Sequence, residues 1–101
     1  MIYKVTVPTV AEDVEEIRVL EWHGAPGRDF QTGDLVVELE THKALVEVRA
    51  GQPGFLRRVL CEEGEWAKLG VPLALFSDGA SEALPEDANL ASDLAVEFIV
   101  D

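Results

Sequence analysis

The 101-residue chain has one cysteine, one methionine, and eight basic residues against twenty acidic ones. Each shortage excludes something. Cys61 cannot form an internal disulfide, so a disulfide-stapled fold is ruled out and a reducing, cytoplasmic setting is expected. Glu62 and Glu63 beside it disfavour the thiolate, which argues against a reactive cysteine. No apolar run approaches the ~18–20 residues that a membrane-spanning helix needs. The chain opens directly on the strand-like Ile2-Tyr3-Lys4-Val5-Thr6-Val7, with no visible signal peptide. A net charge of −12 opposes binding to nucleic acid and to anionic membranes. That acidity has two readings: solubility alone, or steering toward basic patches on partner proteins. No His/Cys cluster has metal-ligand spacing, so no metal is expected. No nucleophile–base set or phosphate-binding glycine loop is present, so no active site is expected either.

What the chain does have is alternation. Apolar residues make up 48% of it, enough for one small core. Period-two patterning predicts strands near residues 2–8, 16–22, 28–31, 35–41, 44–50, 54–61, 65–68 and 72–77. Turn residues separate them at Gly24-Ala25-Pro26-Gly27, Gly51-Gln52-Pro53-Gly54 and Glu62-Glu63-Gly64. Leu35, Val37 and Leu39 alternate before Thr41-His42-Lys43-Ala44, and Ala44, Val46 and Val48 alternate after it. Only a tight reversal fits between, which places Lys43 at a hairpin tip. A bare ammonium there does no chemistry, but an amine on a rigid tip is well placed for acylation.

The second half repeats the first. Residues 17–39 align with residues 54–76 without a gap, at a constant offset of 37 that puts Gly27 on Gly64 and Gly33 on Gly70. Two copies are too few for a solenoid. A duplicated strand-turn-strand unit suits two similar sheets packed face to face. The paired glycines fit turn positions that need positive φ.

The run Glu40-Thr41-His42-Lys43-Ala44 resembles the lipoyl domain of the 2-oxo acid dehydrogenase complexes, a member of the biotinyl/lipoyl attachment family. Gly33-Asp34 at the entry to the hairpin, Gly54 eleven residues after the lysine, and Gly27 match the family as well. The resemblance covers roughly residues 2–78. It implies an all-β fold, a flattened sandwich of two antiparallel sheets with a quasi-twofold axis. It implies lipoic acid in amide linkage to Lys43 Nζ, and a carrier without an active site of its own. The arm would take up an acyl group by reductive acylation, pass it to coenzyme A, and be reoxidised by a flavin enzyme. The implied partners are the attaching ligase or transferase and the decarboxylase, acyltransferase and dihydrolipoamide dehydrogenase components. Recognition by them would fall on Glu40, Thr41, His42, Ala44, Gly54 and Gly27.

Several residues depart from the family or have two readings. Asp usually stands where this chain has His42, and a Gly-Glu pair stands where it has Ala11-Glu12 in the acidic loop 9–15. His42 either tunes the arm near neutral pH or is a tolerated exposed residue. Glu40 is either a recognition acid or a solvated strand residue. His23 reads as a turn residue. Trp22 and Trp66 read as core or sheet-capping residues. The nearest rival is a biotinyl carrier, but biotinylated lysines are flanked by Met, and the only Met here is Met1. A glycine-cleavage carrier is longer. An unmodified acidic interaction module is the alternative from another class. Residues 1–78 form the expected carrier domain. Residues 79–101 read as an acidic linker and a short C-terminal element, whose Leu90 and Leu94 have helical spacing and Val96, Phe98 and Val100 strand spacing.

Overall fold

Period-two alternation decides which side chains face inward. In β2 (Glu16–Trp22) Ile17 and Val19 are buried, with Arg18 between them facing out. In β5 (Leu45–Ala50) Val46, Val48 and Ala50 are buried and Glu47 and Arg49 face out. The computed structural model describes residues 1–7 and 14–100. Its other strands are β1 (Ile2–Thr6), β3 (Asp29–Phe30), β4 (Leu35–Glu40), β6 (Gly54–Val59), β7 (Trp66–Lys68), β8 (Pro72–Ser77), β9 (Ser92–Asp93) and β10 (Val96–Val100). They form two five-stranded sheets, ordered β3-β6-β8-β1-β9 and β10-β5-β4-β2-β7. Val5, Phe30, Leu56, Leu73 and Phe76 of the first sheet meet Ile17, Val19, Leu39, Val46 and Val48 of the second in one core. Phe30 and Phe76 pack edge to face, ring centroids 5.7 Å apart. The all-β sandwich expected from the sequence is present, with every expected strand in place.

The 37-residue repeat extends to the hydrogen bonds. Gly27 N–H donates to Leu56 O at 2.7 Å, and Gly64 N–H donates to Val19 O at 2.7 Å. His23 N–H donates to Val36 O, and its counterpart Leu60 N–H donates to Leu73 O. Each half therefore lends its short strand to the other: β3 pairs with β6, and β7 pairs with β2. Gly27, Gly33, Gly64 and Gly70 all have positive φ, as the alignment of glycines suggested. Even the irregularities repeat, since β2 shifts register at Val19/Glu21 and β6 at Leu56/Arg58.

The tail breaks the symmetry. Residues 79–87 contain no helix or strand, and a single 3-10 turn at Ala88–Leu90 follows, capped by the Asp87 side chain. β9 then pairs with β1 in parallel, and β10 pairs antiparallel with β5, with Phe98 opposite Val48. Of the two spacings in the tail, strand spacing decides Val96–Val100, while Leu94 is buried. Lys4 Nζ donates to Ala91 O at 2.6 Å. The tail thus adds an edge strand to each sheet.

Candidate functional site: the hairpin tip at Lys43

β4 and β5 pair up to Glu40 opposite Leu45, and the Thr41 N–H then donates to Ala44 O at 2.8 Å. The usual two-residue hairpin turn has positive φ at one or both central residues. No described non-glycine residue has positive φ, so His42 and Lys43 do not form it. The Thr41 hydroxyl closes the turn instead. Its Oγ1 accepts from Lys43 N–H at 3.0 Å and from Ala44 N–H at 2.9 Å, and it donates to Ala44 O at 3.3 Å. Thr41 is only 5% exposed, one of two buried polar residues among the described residues. A short polar side chain that can bond its own backbone a few residues on is what this reversal requires. His42 and Lys43 are exposed at the tip and Ala44 is half-buried. Glu40 faces outward, paired with Arg18 Nη1 at 3.5 Å on the neighbouring strand.

Glu40, Thr41, His42, Lys43 and Ala44 are thus brought together. Gly54 and Gly27 are not. Gly54 is no turn residue: it is the buried first residue of β6, opposite Phe30, without positive φ. It follows β5, which runs away from the tip for six residues, ~20 Å. Gly27 follows β2, which also leaves the tip region, since Arg18 faces Glu40 and Trp22 faces Val37. Neither glycine sits beside Lys43.

A groove of about 480 Å³ does lie beside it, lined by His42, Glu15, Glu16, Trp66 and Lys68. The expectation that Trp66 is a core or capping residue is overturned. Ala67 takes the inward position of β7, so alternation turns Trp66 outward, and it is 51% exposed. Trp22 does pack on the core, and its Nε1–H donates to Cys61 O at 2.9 Å. The acidic loop at 9–15 falls mostly on residues 8–13, outside the described residues. Of its remainder, Val14 is buried and Glu15 is exposed.

Cys61 is inert by environment. Burial pushes its thiol pKa up, and Glu65 and Glu62 push it further. The sequence reading missed one constellation. The outward side chains of Glu21, His23 and Glu38 place their donor atoms within 4.8 Å of one another. Glu21 and His23 have strand spacing for one face, but Glu38 joins them only through the β2–β4 register.

The family model Biotin_lipoyl, described as Biotin-requiring enzyme, matches residues 3–76. The dihydrolipoyllysine-residue succinyltransferase component of the 2-oxoglutarate dehydrogenase complex of Bacillus subtilis is 34% identical over 80 residues, covering 79% of this chain and 19% of that protein. The corresponding component of Staphylococcus saprophyticus is also 34% identical, over 82% of this chain and 20% of its own length. The mitochondrial pyruvate dehydrogenase complex protein X component of Saccharomyces cerevisiae is 30% identical over 92% of this chain and 24% of that protein. The chain thus spans about a fifth to a quarter of the length of these relatives. The matched residues include both repeats and the whole Lys43 hairpin, and the chain belongs to the biotin/lipoyl attachment family.

Proposed function

We propose that Lys43 carries a lipoyl group in amide linkage and that this chain is a carrier module of a 2-oxo acid dehydrogenase complex. The observation behind this reading is the tip itself: an exposed lysine on a two-residue reversal that a buried hydroxyl clamps from inside. The lipoyl group would supply the chemistry, a dithiolane able to take up an acyl group and two electrons. The protein supplies presentation. Thr41 holds the backbone of Lys43 and Ala44, so the Nζ emerges at a fixed place for the attaching ligase and for partner active sites. Shifting the lysine by one residue would move its side chain to the other face of the strand. Tethering replaces diffusion of a free carrier by a high local concentration of the arm.

The relatives' names favour lipoate over biotin, since they belong to components of 2-oxoglutarate and pyruvate dehydrogenase complexes. His42 and Ala44 flank the lysine, where a biotinyl carrier resemblance would call for Met. The working partners are then the decarboxylase, acyltransferase and dihydrolipoamide dehydrogenase of such a complex, in a reducing compartment such as the cytoplasm.

The test is intact mass of the protein purified from lipoate-fed bacteria, beside Lys43→Arg. A lipoyl-sized increment in the parent, absent from the variant, is expected. A biotin-sized increment would move the chain to the carboxylases. No increment, with a known lipoyl domain modified in the same cells, would leave an acidic interaction module instead.

A further inference from the structure

The register of β2 on β4 sets Glu21 directly opposite Glu38. Like charges facing each other across a strand pair are destabilising. Among the described residues no arginine bridges them; Arg18 is engaged with Glu40. The β2 register shift at Val19/Glu21 creates the arrangement. Ile17 and Val19 point inward, and simple alternation would send residue 21 inward too. The bulge gives that position to Trp22, which packs on the core, and leaves Glu21 and His23 facing out beside Glu38. His23 Nε2 lies 2.7 Å from Glu38 Oε1, and the donor atoms of all three residues lie within 4.8 Å of one another.

The internal repeat supplies a control. The matching bulge in β6 places Arg58 opposite Leu75, as Glu21 stands opposite Glu38, and the counterpart of His23 is Leu60. The fold keeps the bulge there without any of the three ligating side chains. Its geometry therefore explains the outward aim of Glu21 and His23 but not their chemistry.

We infer that Glu21, His23 and Glu38 form a binding site for a divalent transition-metal cation of the zinc type, with solvent completing the coordination. One imidazole nitrogen and two carboxylate oxygens suit zinc at about 2.0–2.2 Å each. Tetrahedral ligands at that distance lie ~3.3 Å apart, a spacing between the 2.7 Å His23–Glu38 hydrogen bond and the 4.8 Å span of the cluster. An imidazole ligand disfavours magnesium and calcium, which take oxygen ligands. The cation would cancel the Glu21–Glu38 repulsion and tie β2 to β4, the strand that leads into the Lys43 hairpin.

The experiment is calorimetric titration of the chelator-treated protein with zinc chloride, with thermal melting read in parallel. One saturable equivalent is expected, together with a rise in melting temperature. His23→Ala and Glu38→Gln should each weaken binding at least about tenfold, since loss of a mere supporting partner of a ligand already costs 10–100-fold. Both side chains are half-buried and outside the core cluster, so circular dichroism should show both variants folded. The absence of saturable binding would overturn the assignment. So would binding that persists in both variants, or that depends instead on His42, the other histidine.

Discussion

Replacing Thr41 by valine isolates the hydroxyl that holds the tip, because the two side chains have nearly the same shape. The change removes the acceptor of the Lys43 and Ala44 N–H groups and the donor to Ala44 O. The Lys43 N–H lies at an exposed position, where water replaces the lost acceptor. The Ala44 N–H is half-buried, and leaving such a donor unmet costs about 1–3 kcal/mol. Valine gains some transfer energy at a site only 5% exposed, so the net destabilisation should be about 1–2 kcal/mol. For a domain of this size that lowers the melting temperature by roughly 4–16 °C. Attachment at Lys43 should slow more than the fraction unfolded explains, because the loosened reversal lets the lysine wander while the sheets persist. The assay is a melt of Thr41→Val and Thr41→Ser beside the parent, with modification followed by intact mass over time. Serine keeps the hydroxyl and should restore most of both properties. A valine variant that melts with the parent and is modified at the same rate would refute the clamp.

Gly27→Ala and Gly64→Ala should each destabilise by about 1–2 kcal/mol in urea titrations, since both glycines hold positive φ. Gly54→Ala should be neutral or slightly stabilising, because its φ is ordinary and an added Cβ would meet Ser77 O at a comfortable 3.6 Å; a large loss there would restore the turn reading. Ending the chain at Asp87 removes β9 and β10 and the buried Ala91 and Leu94. That should cost about 2–4 kcal/mol and expose the β5 edge to association, visible by light scattering; an equally stable monomer would count against docking of the tail. Cys61 should react with a thiol reagent far more slowly than free cysteine at neutral pH and recover in denaturant, because burial, Glu65 and Glu62 all disfavour the thiolate.

Much of this protein was legible because several of its strands alternate over most of their length, as β5 does throughout. The alternation of Val37 and Leu39 and of Val46 and Val48 was enough to place the hairpin and its tip. At the start of β4, however, it is Val36 and not the expected Leu35 that is buried, because the register shifts between Leu35 and Val37. The repeat of Gly27 and Gly33 at Gly64 and Gly70 marked positions whose positive φ depends on the turn alone. Local rules failed where a residue's partner is distant in the chain. Gly54 looks like a turn residue after Gly51-Gln52-Pro53, but its pairing with Phe30 makes it a strand. Trp66 looks like core, but Ala67 beside it takes the inward face.

The sequence by itself determined the strand order along the chain, the duplicated unit and the lysine at the reversal, since each rests on spacing within a few residues or on a fixed offset. Only the tertiary structure decided that the Thr41 hydroxyl closes the turn, that the tail becomes an edge strand on each sheet, and that Glu21, His23 and Glu38 converge. Those three depend on register, on bulges, and on which edge remains open for another strand. Such properties belong to pairs of strands, and the pattern within one strand does not encode them.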